Sequence, residues 1–160
     1  MNWDAVGAIA ELLGGIGVIV SLFYLAMQIQ QNTRSVRAAS YHSVVTSLSE
    51  LSGSIGRDAD ASRLFFAGTN DHDRLTQEEW RQFGILVTSL FRNYENIFYQ
   101  HSQEMMEDAV WQGWANSMTR AFWMPGVQAW WPIWRDDCQA GFRDFLEAST
   151  PPEDGSKRSR

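Results

Sequence analysis

The chain has 160 residues and a formal net charge of −6, from 13 Lys and Arg against 19 Asp and Glu. That length is one domain's worth, and 44% hydrophobic with 20% charged residues excludes both wholesale disorder and a multi-span membrane protein. The acidic balance argues against a nucleic-acid partner, because an electrostatic nucleic-acid binder needs a clustered basic face.

Charge is laid out unevenly along the chain. Residues 12–33 carry no formal charge, while every Lys and Arg sits at or after Arg34. The overlapping 19-residue window 9–27, Glu11 included, has a mean hydropathy of about 2.0, above the ~1.6 expected of a membrane span. A helix of about 23 residues covers the ~30 Å hydrocarbon core of a bilayer. The start, Met1-Asn2-Trp3-Asp4, lacks the positive region of a secretory signal, and no convincing small-x-small cleavage site follows. A retained transmembrane helix over residues 6–29 is therefore expected, with Trp3 and Tyr24 as candidate interfacial anchors. Arg34 and Arg37 lie just beyond it and no basic residue precedes it, so the positive-inside rule places the N-terminus outside and the rest in the cytoplasm.

Inside this helix Gly7, Ala10, Gly14, Gly17 and Ser21 recur at spacings of 3, 4, 3 and 4. That is an a/d repeat written in small residues. In lipid, helices associate through close packing, so the repeat reads as a seam for self-association. Glu11 borders the seam. A carboxylate within a span is costly, and three roles are open to it. It snorkels to the outer headgroups, bonds a neighbouring helix in an assembly, or lines an ion path as a ring of carboxylates would.

The remainder is helical in pattern, with no convincing period-two stretch. Over residues 28–55, Val36, Tyr41, Val44, Val45, Leu48, Leu51 and Ile55 form a stripe, so the span is expected to run on as one long helix. Ser52-Gly53 and Gly56-Arg57-Asp58 are expected to end it. A short helix follows over residues 59–67, and Gly68-Thr69-Asn70-Asp71 reads as a turn. Thr76-Gln77-Glu78-Glu79 is a capping box. It opens a helix to about His101, with Phe83, Val87, Leu90, Tyr94 and Ile97 in heptad register and Trp80, Phe91 and Phe98 widening the face. A fourth helix is expected over residues 103–122, with Val110, Trp111, Trp114, Met118 and Phe122 inward. Pro125-Gly126 breaks it. A last helix, interrupted at Pro132, carries Trp131, Trp134, Cys138, Phe142 and Phe145 on one side. From Thr150 the tail reads as disordered. The predicted organisation is thus an N-terminal segment 1–33, a cytoplasmic helical domain 34–149 and a tail 150–160. The fold class is all-α, a single transmembrane helix followed by a bundle of about four helices.

Six of the eight tryptophans fall between Trp111 and Trp134. Helical spacing makes most of them core, since a small bundle needs large side chains to bury enough area. Trp123 and Trp130 fit the stripes less well and are candidates for a groove or membrane contact. The lone Cys138, beside aromatics on a helical face, reads as a small buried hydrophobe.

Signatures of catalysis are missing. His42, His72 and His101 are scattered, and neither E-x-x-H nor H-E-x-x-H spacing occurs. Asp71-His72-Asp73 sits in a turn, where such residues are usually just solvated. Gly14-Gly15-Ile16-Gly17 lies inside the span instead of following a strand, so it is no phosphate loop, and G-x-S-x-G is absent. The expectation is no enzyme, no metal and no cofactor.

The stretch GAIAELLGGIGVIVSLFYLAMQIQQNTRSVRAASY, the later MPGVQAWW and the F-x-x-F of Phe142 and Phe145 resemble a family of small uncharacterised bacterial proteins. Their pattern is a hydrophobic helix ending in Tyr-Leu-Ala-x-Gln-Ile and Asn-Thr, then a helical domain with a Pro-Gly and aromatic motif. The resemblance covers the chain to about Glu147. It implies the same architecture and a bacterial inner-membrane setting, and it carries over no activity and no functional residue.

The leading functional expectation is a membrane-anchored interaction module that self-associates through its span, with the lipid bilayer and further copies as partners. A homo-oligomeric channel or ion-translocating subunit with Glu11 lining the path is the alternative. An enzyme with a Trp-lined pocket is the third.

Overall fold

The computed structural model describes residues 3–152, with the side chains of α1 described at positions 7 and 11 and from 13 onward. Six α-helices and two short 3-10 turns make up the described residues, and no strand occurs among them. The protein is all-helical, as its periodicity requires. It divides into two units, residues 1–39 and residues 40–160.

Helix α1 (Trp3–Arg57) is uninterrupted. The first proline of the chain is Pro125, so nothing in α1 removes a ladder hydrogen bond. Hydroxyls in its apolar part bond back to the helix: Ser21 donates to the Gly17 carbonyl at 2.8 Å and Thr33 to that of Ile29 at 2.9 Å. The stop expected at Ser52-Gly53 does not occur. A helical glycine costs only about 1 kcal/mol, and half-buried Leu48, Leu51 and Ile55 hold this part of the helix. The helix ends at Arg57, where Asp58 accepts from the amides of Asp60 and Ala61 and so caps the next helix.

Helix α2 (Ala59–Asn70) runs three residues past its expected end. Gly68 is buried there against the Phe83 ring, and Thr69 donates to the Phe65 carbonyl at 2.9 Å instead of turning the chain. A short 3-10 turn (His72–Arg74) leads to α3 (Gln77–Ser102). The capping box is present as read: the Glu79 amide donates to the Thr76 hydroxyl, and the Thr76 amide donates to the Glu79 carboxylate at 2.9 Å. Residues 103–107 are not helical, which corrects the expected start of the fourth helix. Glu104 takes a left-handed backbone, φ 57°, and turns the chain after α3.

Helix α4 (Asp108–Phe122) follows, then α5 (Pro125–Trp134), a 3-10 turn (Arg135–Asp137) and α6 (Ala140–Glu147). Pro125 opens α5 in its first turn, where no amide partner is needed. Pro132 does not interrupt the last helical segment. It lies near the end of α5, and the break comes at Cys138 and Gln139.

The core of the helical domain is arranged around α3. Phe83, Val87, Phe91, Tyr94 and Ile97 are buried on it, against Leu64 of α2, Met118 and Phe122 of α4, and Trp131 of α5. Phe142 and Leu146 of α6 close one end. Phe91 sits among Tyr94, Trp131 and Trp134 with ring centroids 5.6 to 6.4 Å apart, so the aromatic-rich segment builds the interior. The predicted inward face of α4 is displaced toward Ala115 and Ala121, which are buried, while Val110, Trp111 and Trp114 are half-buried.

Candidate functional site

Every residue from 13 to 39 is exposed, including Ile19 at 67% and Phe23 at 69% of their full surface. An 18-residue window within this part of α1 has a mean hydropathy of 1.6 and no buried residue. The core helix of a water-soluble domain hides one apolar stripe, whereas the described side chains of residues 13–39 show no hidden stripe.

The small residues of the seam are open in the same sense. Gly7, Gly14, Gly17 and Ser21 are exposed, and a Cβ added at Gly7, Gly14, Gly15 or Gly17 would meet nothing within 4 Å. Glu11 is also exposed. The side chain of Ala10, like that of Trp3, lies outside the described residues.

Three glycines of the helical domain behave differently, whereas Gly56 and Gly113 are as open as those of the seam. A Cβ on Gly68 would strike the Phe83 ring, one on Gly84 the Trp130 ring, and one on Gly126 the backbone carbonyl of Gly68. Gly126 therefore permits close approach of α5 to α2. It had been read only as a helix breaker after Pro125; the one hint of its packing role is its place between a proline and an apolar run.

Trp130 and Trp123 both sit half-buried against the core. The Trp130 indole covers Gly84, meets Trp80 edge to face at 5.2 Å and donates to the Thr88 hydroxyl at 3.3 Å. The Trp123 indole donates to Ser149 at 3.0 Å, tying the end of the chain's last helical segment to α4. Trp131 donates to Glu147, which also pairs with Arg135 at 3.0 Å.

In neither of two crevices on the helical domain does a tryptophan line the wall. One, of about 350 Å3, is a shallow surface groove between α2 and α3 rimmed by Asp58, Asp60 and Arg63. The other, of about 160 Å3, is deeper and lies where α2, α3, α4 and α5 meet. Its wall is apolar, from Phe65, Val87, Leu90, Met124 and Val127, and one side carries Tyr94, Ser117 and Arg120. The Tyr94 and Ser117 hydroxyls share a hydrogen bond at 3.3 Å. Burial pushes the Tyr94 phenol above its ordinary range, with the Ser117 bond and the Arg120 charge pulling weakly the other way. The phenol therefore stays protonated.

Groups capable of covalent or metal chemistry, Cys138, His72 and His101, are buried or lie apart. The buried Cys138 thiol is pushed up to about 12, chiefly by desolvation and then by the nearby Glu95 carboxylate. A thiol held protonated is a poor nucleophile. His72 packs against Trp80 at 5.5 Å and His101 stacks on Trp111 at 4.2 Å, in separate places. Among the described residues no group of three His, Cys, Asp or Glu is placed to hold a metal ion.

The fold and these sites define an all-helical protein with one helix long and apolar enough to cross a membrane. In comparison with known proteins the chain matches no family model, no curated protein and no solved structure.

Proposed function

We propose that this protein is a membrane-anchored helical interaction module that self-associates through the N-terminal part of α1. The clustering of open glycines on the fully exposed, apolar part of α1 carries this reading. Gly68, Gly84 and Gly126 are each explained by a neighbour within the chain, whereas Gly14, Gly15 and Gly17 have open space around them. Each glycine weakens a helix by about 1 kcal/mol relative to alanine, so three in one turn need compensation. Close approach of a second α1, with lipid on the remaining faces, supplies it.

Arg34 and Arg37 favour a cytoplasmic helical domain by the positive-inside rule. The motif resemblance supports a bacterial inner-membrane setting. Glu11, on the border of the seam, is the polar group best placed to bond across the pair.

The native mass of the full chain in mild detergent tests the proposal. The expected mass is that of a dimer or larger assembly, reduced to a monomer by Gly14→Leu or Gly17→Leu and lowered in stability by Glu11→Gln. A mass left unchanged by Gly14→Leu and Glu11→Gln together contradicts the seam.

A further inference from the structure

We propose that the crevice where α2, α3, α4 and α5 meet binds a small organic carboxylate of about benzoate size, held by Arg120, Tyr94 and Ser117. Size sets the first limit. The crevice measures about 160 Å3, and an apolar cavity of about 150 Å3 is known to take a benzene-sized molecule. The wall of Phe65, Val87, Leu90 and Val127 suits a ring or a branched hydrocarbon body.

Charge sets the second limit. Arg120 lines the crevice, and no Asp or Glu does, although the chain as a whole is acidic. The arginine ion pairs of the domain use Arg63, Arg74, Arg92, Arg135 and Arg143. Arg120 has no ion pair among the described residues, so its guanidinium is available to a ligand.

Hydrogen-bond counting gives the third. Tyr94 and Ser117 each bring one O–H, and their mutual bond uses one of the two. Among the described residues the other has no acceptor. Tyr94 is only 7% exposed, and an acceptor in the crevice can take that second O–H beside the Arg120 cation. A carboxylate provides both the acceptor and the charge, and a neutral hydrocarbon provides neither.

The test is independent of self-association. Sodium benzoate is titrated into the full chain in detergent micelles and followed by saturation-transfer NMR, with empty micelles, toluene and acetate as controls. Saturable benzoate binding is expected, with toluene and acetate each binding more weakly. Arg120→Gln, at an exposed position, is expected to weaken benzoate roughly tenfold or more. Ala121→Leu, which fills the crevice, is expected to remove binding. Should that variant lose its cooperative unfolding, Tyr94→Phe serves in its place and is expected to weaken binding. Absence of saturable benzoate binding overturns the proposal. So does equal binding by the Arg120→Gln variant, or toluene bound as tightly as benzoate.

Discussion

The apolar part of α1 and the central helix α3 are both rich in large hydrophobic side chains, yet they treat them in opposite ways. In α3, Phe83, Val87, Phe91 and Ile97 lie on one face and are at most 2% exposed, while Arg81, Gln82, Arg92 and Asn96 face water. In α1, Ile16, Ile19, Val20 and Phe23 are at least 50% exposed, and no polar face balances them. The amount of hydrophobicity does not separate these helices. What separates them is whether a polar face is present, because that face states which solvent the helix is built for.

Paired substitutions break or sharpen this contrast, and urea unfolding of the full chain in detergent, followed by tryptophan fluorescence, reads most of them. The largest effect is expected from Phe83→Ala, which empties the centre of the domain and should cost about 3–5 kcal/mol. Phe23→Ala in α1 should leave the same transition where it is. An equal loss at both positions would mean that α1 packs as core.

A methyl group is the next probe. Gly126→Ala drives a Cβ into the Gly68 carbonyl and is expected to cost about 1–3 kcal/mol. Gly14→Ala meets nothing in the chain, so the domain's unfolding should not change, and any effect should fall on the mass in detergent.

Smaller still, Thr76→Ala removes the cap of α3 and should cost about 1 kcal/mol. The least change is expected from Glu79→Gln, and it disappears in acid. The Thr76 amide and hydroxyl, with Arg63, hold the Glu79 carboxyl below its usual range. A depressed folded value means the contribution is present above the unfolded value, near pH ~4.3, and is lost as pH falls through the folded one. Glu79→Gln should therefore lower stability slightly at neutral pH and flatten the acid limb, so that the two chains converge as pH falls. A slope below pH ~4.3 that matches the unsubstituted chain would show that the capping bonds do not act on Glu79.

Local patterns were the legible part of this fold. The Thr76–Glu79 box is four residues long, and the heptad of α3 repeats within one helix, so both could be read without knowing what packs against them. Cys138 was legible as buried for the same reason. Features that depend on distant segments were not. Gly68 looked like a turn residue because its reason for being glycine, the Phe83 ring, lies fifteen positions on. Leu146 was passed over beside Phe142 and Phe145, yet it is fully buried. The crevice of Tyr94, Ser117 and Arg120 draws on four helices, and no spacing within one of them announces it. The heptad of small residues in α1 was legible as a pattern. Nothing within the chain packs on Gly14 or Gly17, so what the pattern is for is not written in a single chain.

Alkaline carbonate extraction of bacterial membranes carrying the full chain addresses the membrane assignment most directly. A helix with lipid on its apolar faces stays in the pellet at high pH, as α1 should with its uncharged residues 12–33. Recovery of the chain in the supernatant would contradict the assignment, because the exposed apolar surface of α1 would then have to be covered by protein alone.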